Sequence, residues 1–307
     1  MATIAINGFG RIGRACARII LRSPTRKLVA VNDLADRQTL EYLLRRDSVH
    51  GGFEAALDGV AFSSAPSPDL CDFGGAEIVL DCTGVFTRFS DLKAYIDRGA
   101  KRVVISSPSD DNQVEIAPPL SAPKAAIVSA GSCTAHALYL LCGVLSARFG
   151  IKGVLATSIH SYTSDQRLLD SRNAEPRRGR SSAINLIPVV TSAAKNLIRY
   201  DESYRGKAAA IGLRVPTADI SLMRAVFLLE QAVDQAEINA AYEGAQNAAL
   251  AFSREPKVST DIIGSAASAI IDASLTMCCR NLASVGAWHD NETGFASRMV
   301  ELAQIPT

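Results

Sequence analysis

Three glycines spaced Gly8-x-Gly10-x-x-Gly13 constrain the start of this chain more than any other feature. In a turn of this kind the first glycine makes the bend and the second lets backbone approach a pyrophosphate. The third lets the following helix lie close on the strand. Amide groups at the helix start then face phosphate. Residues 3–7 read as a buried strand, and Ile12, Cys16, Ile19 and Ile20 give Arg11–Leu21 a helical apolar stripe. A second strand over 27–31 closes on Asp33. An acidic side chain about 20 residues beyond the turn suits the hydroxyls of an adenosine ribose. The spacing therefore predicts a dinucleotide-binding βαβ unit, and Asp33 favours NAD over NADP.

The pattern continues with strands over 76–81, 102–106 and 126–129 and helices over 40–44 and 91–98. Such alternation predicts a doubly wound parallel sheet. After Thr134 the character changes: an apolar helix over 136–148 precedes longer strands over 153–162, 208–214, 220–229 and 268–278. A helix is expected over 233–252, its first turn carrying Asp234 and Glu237 where acidic groups suit the dipole, and another over 292–303. The fold class is α/β. A Rossmann domain is expected over 1–132 and 290–307, and an α+β catalytic domain with a mainly antiparallel sheet over 133–289.

A chain of 307 residues accommodates two such domains. Its formal net charge of +1 argues against an electrostatic surface for nucleic acid or membrane. No apolar run reaches the roughly 18 to 20 residues of a membrane span, and the first residues lack a signal-peptide pattern. Seven cysteines without any C-x-x-C spacing, and four scattered histidines, point away from a metal site or disulfide framework. A reducing cytoplasm is the expectation. Each cysteine must then be judged as a nucleophile or as a small buried hydrophobe.

From N-G-F-G-R-I-G-R (7–14) onward the chain resembles the phosphorylating glyceraldehyde-3-phosphate dehydrogenase family. The likeness recurs in order at V-N-D-L (31–34), D-S-V-H-G (47–51), T-G-V-F-T (83–87) and S-C-T (132–134). It continues at H-S-Y-T-S-D-Q (160–166), R-R-G-R (177–180), R-V-P-T (214–217) and W-H-D-N-E-T-G (288–294). Erythrose-4-phosphate dehydrogenases share this framework. The resemblance implies Cys133 as nucleophile and His160 as its base. It implies cofactor contacts from Gly8, Gly10, Arg11, Ile12, Gly13, Asp33, Thr83, Ser106 and Asn291. Thr163 and Arg214 would hold the substrate phosphate. Ser132, Thr134 and Thr191, with Arg178 in reach, would hold the attacking inorganic phosphate. Arginine pairs bidentately with phosphate and hydroxyls add neutral donors, so these types suit the task. Cys133 at a helix start is expected to have a lowered thiol pKa. A homotetramer is implied. The alternatives are an erythrose-4-phosphate dehydrogenase-like or specialised paralogue acting on another phosphorylated aldehyde, and a catalytically silent cofactor-binding regulatory protein, against which the retention of Cys133, His160, Arg214 and Asn291 argues.

Three departures stand out from the family pattern. Cys133-Thr134-Ala135-His136 replaces C-T-T-N, so His136 is either a buried structural residue or a group that alters the floor of the pocket. The segments 52–71 and 113–124 are short; Pro118, Pro119 and Pro123 predict a rigid loop in the second. Ser171-Arg172 stands where relatives carry Leu-Pro, and in a tetramer Arg172 would admit NADP if it met a neighbouring subunit's cofactor.

Overall fold

The structure, a computed structural model, describes residues 1–54 and 57–304. It divides into two compact units, Met1–Ser132 with 295–307 and Cys133–Gly294. The first is built from β1 (Ala2–Asn7), α1 (Arg11–Leu21), β2 (Arg26–Asn32), α2 (Arg37–Arg45), β3 (Ala61–Ser63), β4 (Ile78–Asp81), α3 (Phe89–Asp97), β5 (Arg102–Ile105), β6 (Glu115–Ile116) and β7 (Ile127–Ser129). The strands form one seven-stranded sheet in the order β3-β2-β1-β4-β5-β7-β6, and every pair is parallel. The order reverses between β1 and β4. At such a switch point the carboxyl ends of the strands open a crevice for a ligand.

Both shortened segments keep a place in this sheet. Residues 61–63 still supply the edge strand β3, and Glu115–Ile116 pairs at the opposite edge. Beyond Ile116 the proline-rich stretch folds back as a loop, and the Glu115 carboxylate accepts from the N–H groups of Lys124 and Ala125 at 3.0 and 2.7 Å.

The second unit opens with α4 (Cys133–Phe149), followed by β8 (Ile151–Ser161), β9 (Ile187–Val190), α5 (Ala193–Tyr200), β10 (Ala208–Val215), β11 (Ser221–Leu229) and α6 (Gln235–Gly244). Then come β12 (Leu250–Ser253), β13 (Ala269–Asp272), β14 (Met277–Cys279) and β15 (Leu282–His289). The last described helix, α7 (Thr293–Leu302), belongs from residue 295 onward to the first unit. The sheet order is β9-β10-β8-β11-β15-β13-β12, with β14 beside β15. Pairs β8·β10 and β12·β13 are parallel and the rest antiparallel, so the sheet is mixed with antiparallel pairs in the majority. Its inner face, through Val154, Ala156, Met223, Ala225, Phe227, Val285 and Ala287, packs on Leu138, Leu141, Cys142 and Leu145 of α4. Burying the Val, Leu, Met and Phe side chains among these stabilises the unit by about 1.5–3 kcal/mol each. The outer face leaves Leu155, Ile211, Val190, Val226 and Leu228 exposed.

Several expected elements are corrected. The helix expected over 233–252 ends at Gly244. Asp234, expected inside its first turn, instead stands just before the helix as its cap, in a reciprocal box with Glu237. The Asn247 side chain then accepts from the N–H groups of Ala249 and Leu250, turning the chain into β12. The strand expected over 268–278 breaks after Asp272, whose carboxylate accepts from the N–H and hydroxyl of Ser274 and starts a 3-10 turn, Ala273–Leu275. Strand β15 was not expected, because Gly286 interrupts its apolar pattern. A Cβ there would stand 2.7 Å from a Leu275 methyl, so packing against Leu275 requires the glycine. The second unit also keeps residues 290–294, five beyond the expected boundary. Asp290 accepts from Gly264 N–H at 2.8 Å, tying that segment to its own unit. All seven cysteines are free thiols, and no described helix is long and apolar enough to cross a membrane.

Candidate functional site

In the first unit the glycine turn is tight where the sequence requires it and open where a ligand needs room. Gly8 has φ +86°, and a Cβ there would lie 2.7 Å from the backbone N of Thr83. A Cβ on Gly13 would stand 2.1 Å from the Gly8 carbonyl oxygen, so α1 packs on the turn only because that atom is absent. Above Gly10, at the N-cap of α1, nothing lies within 4 Å. The first amides of an 11-residue helix have no partner within it, which suits a pyrophosphate. The Arg11 side chain is engaged with Asp47 at 2.6 Å, so backbone is what Arg11 and Ile12 offer.

Asp33 follows β2 directly, each of its oxygens accepting one backbone N–H, from Phe9 at 2.6 Å and Ala35 at 3.0 Å. A carboxylate held there fits ribose hydroxyls and repels a 2′-phosphate, so these residues fit NAD. Thr83 donates its hydroxyl to Asp81 at 2.6 Å, and Ser106 continues from β5 with its N–H on the Asp81 carbonyl at 2.9 Å.

In the second unit Cys133 is the first residue of α4, where the helix lies on the inner face of the sheet. Alternation along β8 places Val154, Ala156, Ser158 and His160 on that buried face. His160 thereby meets the thiol, with Nε2 3.5 Å from Sγ. Its Nδ1 lies 2.8 Å from the Ser161 carbonyl and donates to it, leaving the Nε2 lone pair facing the sulfur. Thr134 Oγ1 lies 3.4 Å from Ser158 Oγ, joining the helix start to the same strand.

Burial pushes the Cys133 thiol up, against the pull of Thr134 and the Arg214 charge. The expectation of a lowered thiol pKa from the helix start alone is therefore corrected. Burial also pushes His160 well below its ordinary value, helped by Arg214 and His289. Neither group charges easily by itself, and the 3.5 Å approach gives the thiol proton a path to Nε2.

Parallel pairing of β8 with β10 sets Arg214 opposite His160. The guanidinium donates to the Ser161 carbonyl at 3.0 Å, while its buried Nε has no hydrogen-bond partner among the described residues. Arg178 pairs with Asp165 and lies 3.7 Å from Glu175, in the same loop as Thr163. The N–H and hydroxyl of Thr163 both donate to Gln166 Oε1 at 3.0 Å. Thr191 accepts from Ala193 N–H at the entry to α5, and Ser132 is the half-buried residue before the nucleophile. Asn291 Oδ1 accepts from Ser161 and Ser221 hydroxyls at 3.0 and 2.8 Å, which orients its amide and leaves Nδ2 as a donor.

His136 is fully buried, with its ring 6.4 Å from that of Tyr200 on α5, which favours the structural reading. Arg172 is exposed. His289 is the neighbour that sequence reasoning passed over, although it stands inside the W-H-D-N-E motif. It is 1% exposed, its ring is edge-on to His160 at 6.4 Å, and neither nitrogen has a hydrogen-bond partner among the described residues.

Two family matches cover most of the chain. The NAD binding domain of glyceraldehyde 3-phosphate dehydrogenase matches residues 2–89, and the C-terminal domain of the same enzyme matches residues 132–291. Glyceraldehyde-3-phosphate dehydrogenase of Geobacillus stearothermophilus is 39% identical over 323 aligned residues, covering 98% of this chain and 96% of the relative. Glyceraldehyde-3-phosphate dehydrogenase 1 of Bacillus cereus is 38% identical over 331 aligned positions, covering 100% of this chain and 99% of the relative. The enzyme of the same name from Bacillus subtilis is 39% identical over 323. An alignment of 331 positions against 307 residues agrees with segments shortened in this chain.

Proposed function

The chain belongs to the glyceraldehyde-3-phosphate dehydrogenase family, an NAD-dependent oxidoreductase family, and on that premise we propose that it oxidises glyceraldehyde 3-phosphate with inorganic phosphate to 1,3-bisphosphoglycerate through a thioester on Cys133. The observation that carries this reading is the 3.5 Å approach of His160 Nε2 to Cys133 Sγ, with the tautomer set by Ser161. Cys133 adds to the aldehyde carbon as its proton passes to Nε2, forming a hemithioacetal oxyanion whose negative charge faces the protonated His160. The chemistry that bound NAD supplies is hydride acceptance. Gly8, Gly10, Arg11, Ile12, Gly13, Asp33, Thr83 and Ser106 would hold it, and Asn291 Nδ2 would donate to its carboxamide. Oxidation leaves an acyl thioester on Cys133; a phosphate oxygen attacks the acyl carbon, the C–S bond breaks and Cys133 is released.

Arg214 and Thr163 would bind the substrate phosphate, and the partnerless Nε of Arg214 supports that assignment. Ser132, Thr134, Thr191 and Arg178 would bind the attacking phosphate. Exposed Leu155, Ile211, Val190 and Val226 on the outer sheet face support assembly into a homotetramer. Seven free thiols suit a cytoplasmic location.

The test follows reduced nicotinamide by absorbance, with glyceraldehyde 3-phosphate or erythrose 4-phosphate, NAD or NADP, and with or without phosphate. Turnover with glyceraldehyde 3-phosphate and NAD that needs phosphate and vanishes in Cys133→Ser is expected. Arg214→Leu should raise KM for the phosphorylated aldehyde 100-fold or more, about 3 kcal/mol of lost charge-assisted bonding. A preference for erythrose 4-phosphate, or turnover independent of phosphate, would replace this reading. No turnover with any aldehyde would favour a silent cofactor-binding protein.

A further inference from the structure

Asp81 is a buried carboxylate that none of the proposed steps uses. It ends β4, and register sets it opposite Asn7 of β1, which in turn stands opposite Asn32 of β2. These three side chains form a row across adjacent strands beneath the glycine turn, each 2% exposed or less. The donors run in one direction along the row. Ser63 hydroxyl donates to Asn32 Oδ1 at 2.8 Å, Asn32 Nδ2 to Asn7 Oδ1 at 2.7 Å, and Asn7 Nδ2 to Tyr95 Oη at 2.6 Å. Tyr95, from α3 and 2% exposed, donates to Asp81 Oδ2 at 2.8 Å, and Asn7 Nδ2 reaches the same oxygen at 3.3 Å. The other carboxylate oxygen accepts both the N–H and the hydroxyl of Thr83, at 3.0 and 2.6 Å. Thr83 is also the residue against which Gly8 packs so closely that no Cβ fits.

We propose that Asn7, Tyr95 and Asp81 are positioning residues that hold Thr83 and the Gly8 turn in the geometry that binds NAD, so that Tyr95 sets cofactor affinity without contacting the cofactor. The inference rests on the reading of Thr83 as a cofactor contact. Burial pushes the Asp81 carboxyl up while the bonds from Thr83, Tyr95 and Asn7 pull it down, so the carboxylate depends on its donors. Removing one donor leaves a buried acceptor short of a partner, and the loss propagates to whatever the carboxylate holds.

Tyr95→Phe deletes one oxygen and keeps the ring, so the protein retains its packing beside Phe73. Titration calorimetry with NAD on the whole chain reads the effect. Kd should rise about tenfold in Tyr95→Phe and by a similar factor in Thr83→Ala. The double variant should bind no more weakly than Thr83→Ala, because Tyr95 acts through Thr83; a merely structural Tyr95 predicts factors that multiply. An unchanged Kd in Tyr95→Phe beside a weakened Thr83→Ala, or multiplying factors, overturns the positioning role alone. An unchanged Kd in Thr83→Ala overturns the reading of Thr83 and the positioning role with it.

Discussion

Replacing His160 with asparagine should take away most of the reactivity of Cys133 at neutral pH while leaving the thiol in place. Two unit charges 3.5 Å apart, the Nε2–Sγ separation, attract by about 5 kcal/mol at an effective dielectric near 20. That is equivalent to about 3.5 pK units, acting against the burial that disfavours each charge. The wild type should therefore form the charged pair internally, with a population that is flat between two macroscopic steps belonging to the pair. In His160→Asn the thiol ionises by itself at or above its ordinary value, because burial pushes it up. At pH 6.5 an ordinary thiol of pKa 8.5 is about 1% thiolate, so alkylation at Cys133 should slow about 100-fold or more. The assay is iodoacetamide labelling from pH 5 to 9 with peptide mass spectrometry to isolate Cys133 from the other six cysteines. The variant should lose about tenfold per pH unit below its single step, while the wild type holds a plateau. Superimposable profiles for the two proteins would refute the pairing. The same variant should lose 100- to 10,000-fold in kcat, the usual range for removing a general base.

Two further perturbations test other parts of the molecule. Burial pushes His289 down to about 4, from an ordinary value near 6.5. Between these values the unfolded chain binds the proton and the folded protein does not, so stability is lost as pH falls from 6.5 towards 4. At pH 5 the loss is about 2 kcal/mol. His289→Phe should remove that part of the acid sensitivity, so that Tm falls less between pH 7.5 and 5 than in the wild type; equal falls would contradict it. In Gly13→Ala the new Cβ would overlap the Gly8 carbonyl at 2.1 Å. Separating α1 from the turn should cost about 1–3 kcal/mol and weaken NAD binding at least tenfold. Unchanged Tm and Kd would show that the turn yields freely.

Where local chemistry is sufficient, the elements follow from residue order. β1 and α1 match their pattern because a β-branched run, a glycine bend and an apolar helical stripe lie within the same twenty residues. The acidic start of α6 was legible in Asp234 and Glu237, but its end was not. The apolar residues of 245–252 satisfy helix and strand alike, and Asn247 with the pairing partner β13 decides between them. Gly286 hid β15 for a similar reason: its value lies in making room for Leu275, a contact absent from any local window.

The site divides along the same line. Motif order by itself determined the family resemblance and pointed to the turn at Gly8–Gly10–Gly13 with Asp33, and to Cys133, His160, Arg214 and Asn291, as the candidate site, because each sits in a short segment with its own chemical signature. Only the tertiary structure decided the His160 tautomer, through a carbonyl at 2.8 Å, and the orientation of the Asn291 amide, through two hydroxyls from different strands. It also decided that burial opposes the helix start at Cys133, that His136 is buried beside Tyr200, and that His289 stands beside His160. Burial, register and hydrogen-bond direction depend on residues distant in sequence, so they arise only when the sheets and helices have assembled.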